Sequence, residues 1–277
     1  MKLLRWGERG RERPGILDAQ GRIRDLSGVV PDIGGATLGN LSAIPGVDTL
    51  PFVPGKPRIG ACVGAVGKMI CIGLNYADHA REAGLAVPTE PIIFFKATSS
   101  ICGPDDDLVL PKGSTKVDWE VELGVVIGHP LKYADENEAR RAIAGYCLIN
   151  DLSERAWQLE RGGQWVKGKS ADGFGPIGPW LVSADSVADV NSLRLWLEVD
   201  GHRYQDSSTA QMVFKPGFLV SYLSQFMSLQ PGDIISTGTP PGVGLGLKPP
   251  VFLRAGQVMR LGIDGLGVQT QRVVEHG

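Results

Sequence analysis

A chain of 277 residues, 43% hydrophobic, has the length for one large domain or two small ones and enough apolar side chains for a substantial core. Its 28 basic and 30 acidic residues leave a formal charge of -2 and form no basic stripe, which argues against nucleic acid as a partner. The four cysteines, Cys62, Cys71, Cys102 and Cys147, make no C-x-x-C pair, so reduced thiols in a cytoplasmic, non-exported protein are expected, and no run nears the roughly 18 apolar residues of a membrane span.

In chain order, 38 glycines and 19 prolines punctuate short alternating runs, the grammar of a mixed, β-rich α+β fold. GILDAQGRIRDLS reads as two strands about a Gly-containing turn, and the Pro/Gly-rich stretch from Pro45 to Pro57 as a linker. Residues 1–60 are therefore expected to form a small N-terminal α/β module and residues 61–277 the larger domain. Strands are expected at Met69–Gly73, Ile92–Lys96, Trp119–Ile127, Ala144–Asn150, Leu193–Val199 and Asp233–Thr237, with a final one about Val258–Ile263. Helices are expected at Tyr76–Ala83, Glu136–Ala142, Glu154–Leu159 and Gly217–Phe226.

Within VDWEVELGVVIG, side-chain alternation places Glu120 and Glu122 on one face of a strand and Val121 and Leu123 on the other. Two carboxylates so close force one to protonate unless a hard cation intervenes; the plain alternative is a solvated edge strand. In GYCLINDLSER an apolar strand ends in Asn-Asp, which sets Asp151 at a strand mouth, as a third acid or as the N-cap of the following helix. With no His or Cys cluster at metal spacing, these acids suit Mg²⁺ or Mn²⁺ better than Zn²⁺. On the helix in GLNYADHAREAG, His79 and Glu82 are three apart, so the carboxylate can orient the imidazole as a base, or the two form an incidental surface pair. Glycines on either side of that helix allow it to act as a lid. Lys169 lies in the Gly-rich stretch WVKGKSADGFGP, expected as a loop that lets an ammonium approach a ligand, whereas Lys96 reads as a snorkelling strand terminus. ISTGTPPGVG after a strand offers N–H groups and hydroxyls to an anion but lacks the Gly-Lys-Ser/Thr ending of a nucleotide loop.

Together, GLNYADHAREAG, PIIFFKATSSICGP, VDWEVELGVVIG, GYCLINDLSER, WVKGKSADGFGPIGPWLV and LQPGDIISTGTPPGVG, in this order, resemble the fumarylacetoacetate hydrolase family. The resemblance implies a β-sandwich-like roll, a homodimer, and Mg²⁺ or Mn²⁺ held at Glu120, Glu122 and Asp151. It places the lid dyad on His79 and Glu82 and the catalytic lysine on Lys169. Where the longer fumarylacetoacetases carry another acidic ligand, this chain has Ile72. The opening segment is similar to that of the bacterial sugar-acid branch, 2,4-diketo-3-deoxy-L-rhamnonate or L-fuconate hydrolases.

The expected activity is cleavage of the C3–C4 bond of a 2,4-dioxo acid, an acylpyruvate or a 2,4-diketo-3-deoxy sugar acid, to pyruvate and a second acid. Arg155, Gln158, Trp165 and Thr239 are the candidates for gripping the substrate. The competing expectations are a decarboxylase, hydratase or ureidoglycolate lyase using related chemistry, and a silent 2-oxo acid binder, which would need the acids but not a base at His79.

Overall fold

The computed structural model describes residues 1–82 and 86–277, save the side chains of residues 79 and 80. In chain order the main strands are β1 (Lys2–Trp6), β2 (Arg13–Leu17), β3 (Ile23–Asp25), β4 (Met69–Gly73), β5 (Ile92–Lys96), β6 (Val121–Ile127), β7 (Ile143–Asn150), β8 (Leu181–Ser183), β9 (Arg194–Val199), β10 (His202–Ser208), β11 (Ile234–Ser236), β12 (Val258–Ile263) and β13 (Gly267–Val274). The helices are α1 (Ala77–Glu82), α2 (Glu136–Arg141), α3 (Arg155–Leu159), α4 (Val166–Lys169) and α5 (Pro216–Phe226). None is long and apolar enough to cross a membrane.

Nine strands form one sheet in the order β3-β2-β1-β8-β7-β6-β11-β4-β5, and β10-β9-β12-β13 continue into the short strand Leu108–Val109 as a second. The first sheet is covered on both faces, which is why every residue of β6 and β7 is buried. Period-two alternation divides them. Leu123, Val125, Tyr146 and Leu148 join the core shared with Leu195, Leu197, Met259 and Leu261 of the second sheet, while Val126, Cys147 and Ile149 pack with Leu3, Ile16 and Leu26 from the N-terminal strands.

Residues 1–60 supply three strands and two 3-10 turns, and β1 pairs antiparallel with β8 at Lys2↔Val182 and Leu3↔Leu181, so the large sheet runs through both parts of the chain. Four of these strands, β1, β8, β10 and β13, lie outside the sequence expectation. Strand β8 is only three residues long, β10 is largely polar, and β13 buries Gln269 and Gln271 where the alternation rule looks for apolar residues. Gln269 donates to the carbonyls of Leu148 and Gly178, and Gln271 accepts from Asn150, so hydrogen bonds replace the apolar signal.

Candidate active site

Strands β6 and β7 are antiparallel neighbours with Glu122 opposite Ile149 and Val121 opposite Asn150. That register brings the start of one strand to the end of the other. One carboxylate oxygen each from Glu120, Glu122 and Asp151 consequently lies within 4.8 Å of the others, and all three residues are buried. Glu120 stands just before the ladder, its N–H donated to Asn150 Oδ1 at 3.1 Å, so the strand is two residues shorter than the expected Trp119–Ile127. Asp151 is not a helix cap, because Glu154 caps α3 by accepting from the Trp157 N–H at 2.7 Å.

Three cations reach into this cluster. Lys169 Nζ donates to Glu120 Oε2 at 2.6 Å and to Asp151 Oδ2 at 2.7 Å. Lys96 Nζ donates to Asp151 Oδ1 at 2.6 Å and to the Leu152 carbonyl at 3.0 Å. Arg155 joins Asp118 Oδ2 through Nε at 2.8 Å and Glu120 Oε1 through Nη2 at 2.7 Å. Two sequence expectations change here. Lys96 does not snorkel, since its side chain is wholly buried against Asp151; and Lys169 sits at the end of one helical turn, α4, where a loop was expected.

Burial would push the Glu120 carboxyl up, yet the charges of Lys169 and Arg155 outweigh it and hold the group at about 2. For Glu122, burial and then the Asp151 and Glu120 carboxylates push the carboxyl well above its usual range. Its described hydrogen-bond partners are Ser236 Oγ at 2.6 Å and the Gly238 N–H at 2.8 Å. The ISTGTPPGVG segment therefore does receive a carboxyl group, and it is the chain's own Glu122. Gly238 adopts φ +97, and a Cβ there would stand 2.7 Å from the Asn75 Cβ, which fixes glycine at this donor. Burial opposes the charged Lys169, but Asp151 and Glu120 raise its pKa and favour the ammonium form.

A cavity of about 490 Å³ opens onto Glu120, Glu122, Arg155 and Lys169. All four residues expected to grip substrate line it, and Arg155, the Gln158 carbonyl oxygen and the Thr239 hydroxyl are already engaged. Arg155 also donates to Gln158 Oε1 at 3.0 Å, and the Thr239 hydroxyl donates to the Val121 carbonyl at 3.0 Å while accepting from Gln205 at 2.8 Å. The Trp165 ring meets Phe94 edge-on at 5.3 Å. Glu82 of α1 faces the same cavity and accepts from the Gly242 N–H at 3.1 Å, which fastens the helix to the segment after β11. The His79 side chain, and Ala83 and Gly84 of the expected lid, lie outside the described residues.

Residues 68–274 match the family model described as fumarylacetoacetate (FAA) hydrolase C-terminal. The chain belongs to the fumarylacetoacetate hydrolase family. Like other members it is an enzyme, and its relatives include hydrolases. A Burkholderia multivorans protein with a provisional hydrolase name is 65% identical over 276 residues, 98% of each chain. Among solved structures, fumarylacetoacetate hydrolase from Exiguobacterium antarcticum is 33% identical with a TM-score of 0.89 over all of both chains. A 2-hydroxyhepta-2,4-diene-1,7-dioate isomerase from Mycobacterium marinum is 32% identical with a TM-score of 0.77, over 100% of this chain and 99% of that one. Maleylpyruvate hydrolase from Sphingobium, solved with manganese(II) and pyruvate, is 27% identical with a TM-score of 0.82 over the whole of both chains.

The site fits a hard divalent cation on its own donors. Buried carboxylates Asp118, Glu120, Glu122 and Asp151 outnumber the cations Lys96, Arg155 and Lys169, and Glu122 is the acid with no ammonium or guanidinium on it. Cys71, close enough to feel Asp151, is held as a thiol by burial first and by that charge second, so the available ligands are oxygens. Sequence reasoning missed Asp118 and misread Lys96. Asp118 accepts the Gly244 N–H at 2.7 Å and the Leu245 N–H at 3.0 Å, and only the segment folded over it supplies those partners.

Proposed function

We propose that the protein is a divalent-metal-dependent hydrolase that cleaves the C3–C4 bond of an acylpyruvate. The observation that carries this reading is the buried group of Glu120, Glu122 and Asp151, which with Asp118 makes four carboxylates against three cations, at the wall of a cavity large enough for a small acid. A divalent ion bound there supplies positive charge to the oxygens of a 2-oxo acid. Support also comes from the similar maleylpyruvate hydrolase, solved with manganese(II) and pyruvate.

In this reading Glu120, Glu122 and Asp151 hold the metal, and Lys169, favoured as an ammonium, stabilises negative charge developing on the 2-oxo group. Lys96 and Arg155 keep Asp151 and Glu120 ionised and aimed. His79, oriented by Glu82, takes a proton from the water that attacks C4. The C3–C4 bond then breaks, its electron pair passes to C3 and the 2-oxo group, and protonation of C3 yields pyruvate beside the acid formed at C4. A second reading, proton transfer along a 2-oxo acid without bond cleavage, is favoured by the similarity to the isomerase. Coupled measurement of pyruvate release from acylpyruvates with Mg²⁺ or Mn²⁺ decides between them: steady release supports the hydrolase, and an isomerised product without pyruvate overturns it.

A further inference from the structure

The cavity has two chemically different ends. At the carboxylates, the charged groups of Glu120, Arg155 and Lys169 are paired with one another. Phe94 lies beside Lys169, its ring 4.9 Å from Nζ, and the rest of the wall carries Leu159, Trp165, Val243, Leu245 and Leu247. Of these, Leu159 is 48% and Leu245 38% exposed, large apolar side chains left in water at the mouth of a site. Lys248 stands exposed at the rim.

We propose that the acyl group beyond C4 is an apolar chain or ring, bound in preference to a polyhydroxylated tail. The proposal rests on the reading that the 2-oxo acid end lies at the carboxylates. Among the described residues, the polar side chains on the wall outside the charged cluster are Gln158 and Thr239, with Glu82, Trp165 and Lys248 beside them. The first has its carbonyl oxygen taken by Arg155, and the second gives its proton to the Val121 carbonyl. Hydroxyls on a sugar-acid tail would exchange water for leucine and tryptophan, at roughly tenfold or more in affinity for each one left unpaired. Each methylene that reaches Leu159, Leu245 or Leu247 instead gains about fourfold. Specificity in this enzyme is accordingly set by α3 and by the segment after β11, not by the charged end.

Calorimetry on the Mn²⁺-loaded protein with pyruvate, 2-oxohexanoate, 2-oxooctanoate and 2-oxo-3-deoxygluconate tests this without turnover. Affinity should rise about fourfold per methylene, roughly 50-fold from pyruvate to 2-oxohexanoate. The deoxygluconate, with the same six-carbon chain, should bind no better than pyruvate. The double variant Leu159→Asn with Leu245→Asn should reduce the gain to less than about twofold per methylene, and because both side chains are exposed its circular dichroism should match the parent. Equal affinity along the series, or tighter binding of the sugar acid than of 2-oxohexanoate, overturns the proposal. Pyruvate release from acetylpyruvate and hexanoylpyruvate, run in parallel, separates it from the hydrolase reading. A steep chain-length series with no pyruvate released removes the hydrolase and keeps the apolar tail, a flat series with pyruvate released does the reverse, and failure of every 2-oxo acid to bind overturns both.

Discussion

The two ends of the cavity are built by different means. The charged end is set by backbone register: Glu122 is inside β6, Glu120 and Asp151 sit one residue beyond paired strands, and every residue of both strands is buried. The apolar end comes from the last residue of α3, Leu159, from Trp165 just before α4 and from the segment after β11, with Leu159 and Leu245 exposed. A strand covered on both faces cannot shift without moving all its neighbours, so the chemistry is held rigidly. Short surface elements accept substitution, and the choice of acyl group can change there while the charged end stays the same.

If the contrast holds, damage at the charged end is far more severe than damage at the apolar one. Removing the metal with EDTA, or replacing Glu122 by Ala, should lower pyruvate release by about 10³-fold or more, because several kcal/mol of charge stabilisation disappear together. Added Mg²⁺ or Mn²⁺ should restore the chelated enzyme and not the variant. Full turnover in metal-free protein would remove the basis of the contrast.

His79→Ala should cost about 10² to 10⁴ in kcat while calorimetric oxalate affinity stays near that of the parent, the signature of a base that does not hold the metal. Glu82→Gln sharpens this. Its amide oxygen can still accept from the Gly242 N–H, so a merely structural Glu82 predicts little change, whereas a group that stabilises the imidazolium predicts a slower reaction.

Lys96→Met tests whether the charged end needs its internal cations for stability. It strips Asp151 Oδ1 and the Leu152 carbonyl of a buried donor, and breaking a buried pair of this kind costs about 3–5 kcal/mol. A clear fall in the thermal midpoint is expected, measured by circular dichroism, and an unchanged midpoint would mean that Asp151 finds another partner. The smallest effects belong at the mouth: Leu159→Ala should alter the rate on short acylpyruvates by only about twofold to fourfold, the share of one or two methylenes in contact.

The strands that carry the acids were legible because a doubly buried strand interrupted by Glu-x-Glu is unusual enough to read locally, and α5 declares itself by amphipathic spacing. Strand β13 was not, since buried glutamines replace its apolar positions, nor was α4, whose Gly168 and flanking glycines read as a loop. Lys96 is the most instructive misreading. A lysine closing an apolar strand has the same sequence signature whether it reaches water or is drawn inward by a carboxylate 55 residues away.

The sequence by itself determined which residue types were at hand, the alternation that aligns Glu120 with Glu122, and a chain of motifs specific enough to assign the family. Those are local properties, set by side-chain period and order along the chain. Only the tertiary structure decided that Asp151 meets these acids, that Ser236 and Gly238 hold Glu122, that Lys96 and Asp118 belong to the cluster, and that the far wall is apolar. Each of these depends on which segments pack across one another, and burial, which decides whether a charge must be paired, is a property of the packed whole.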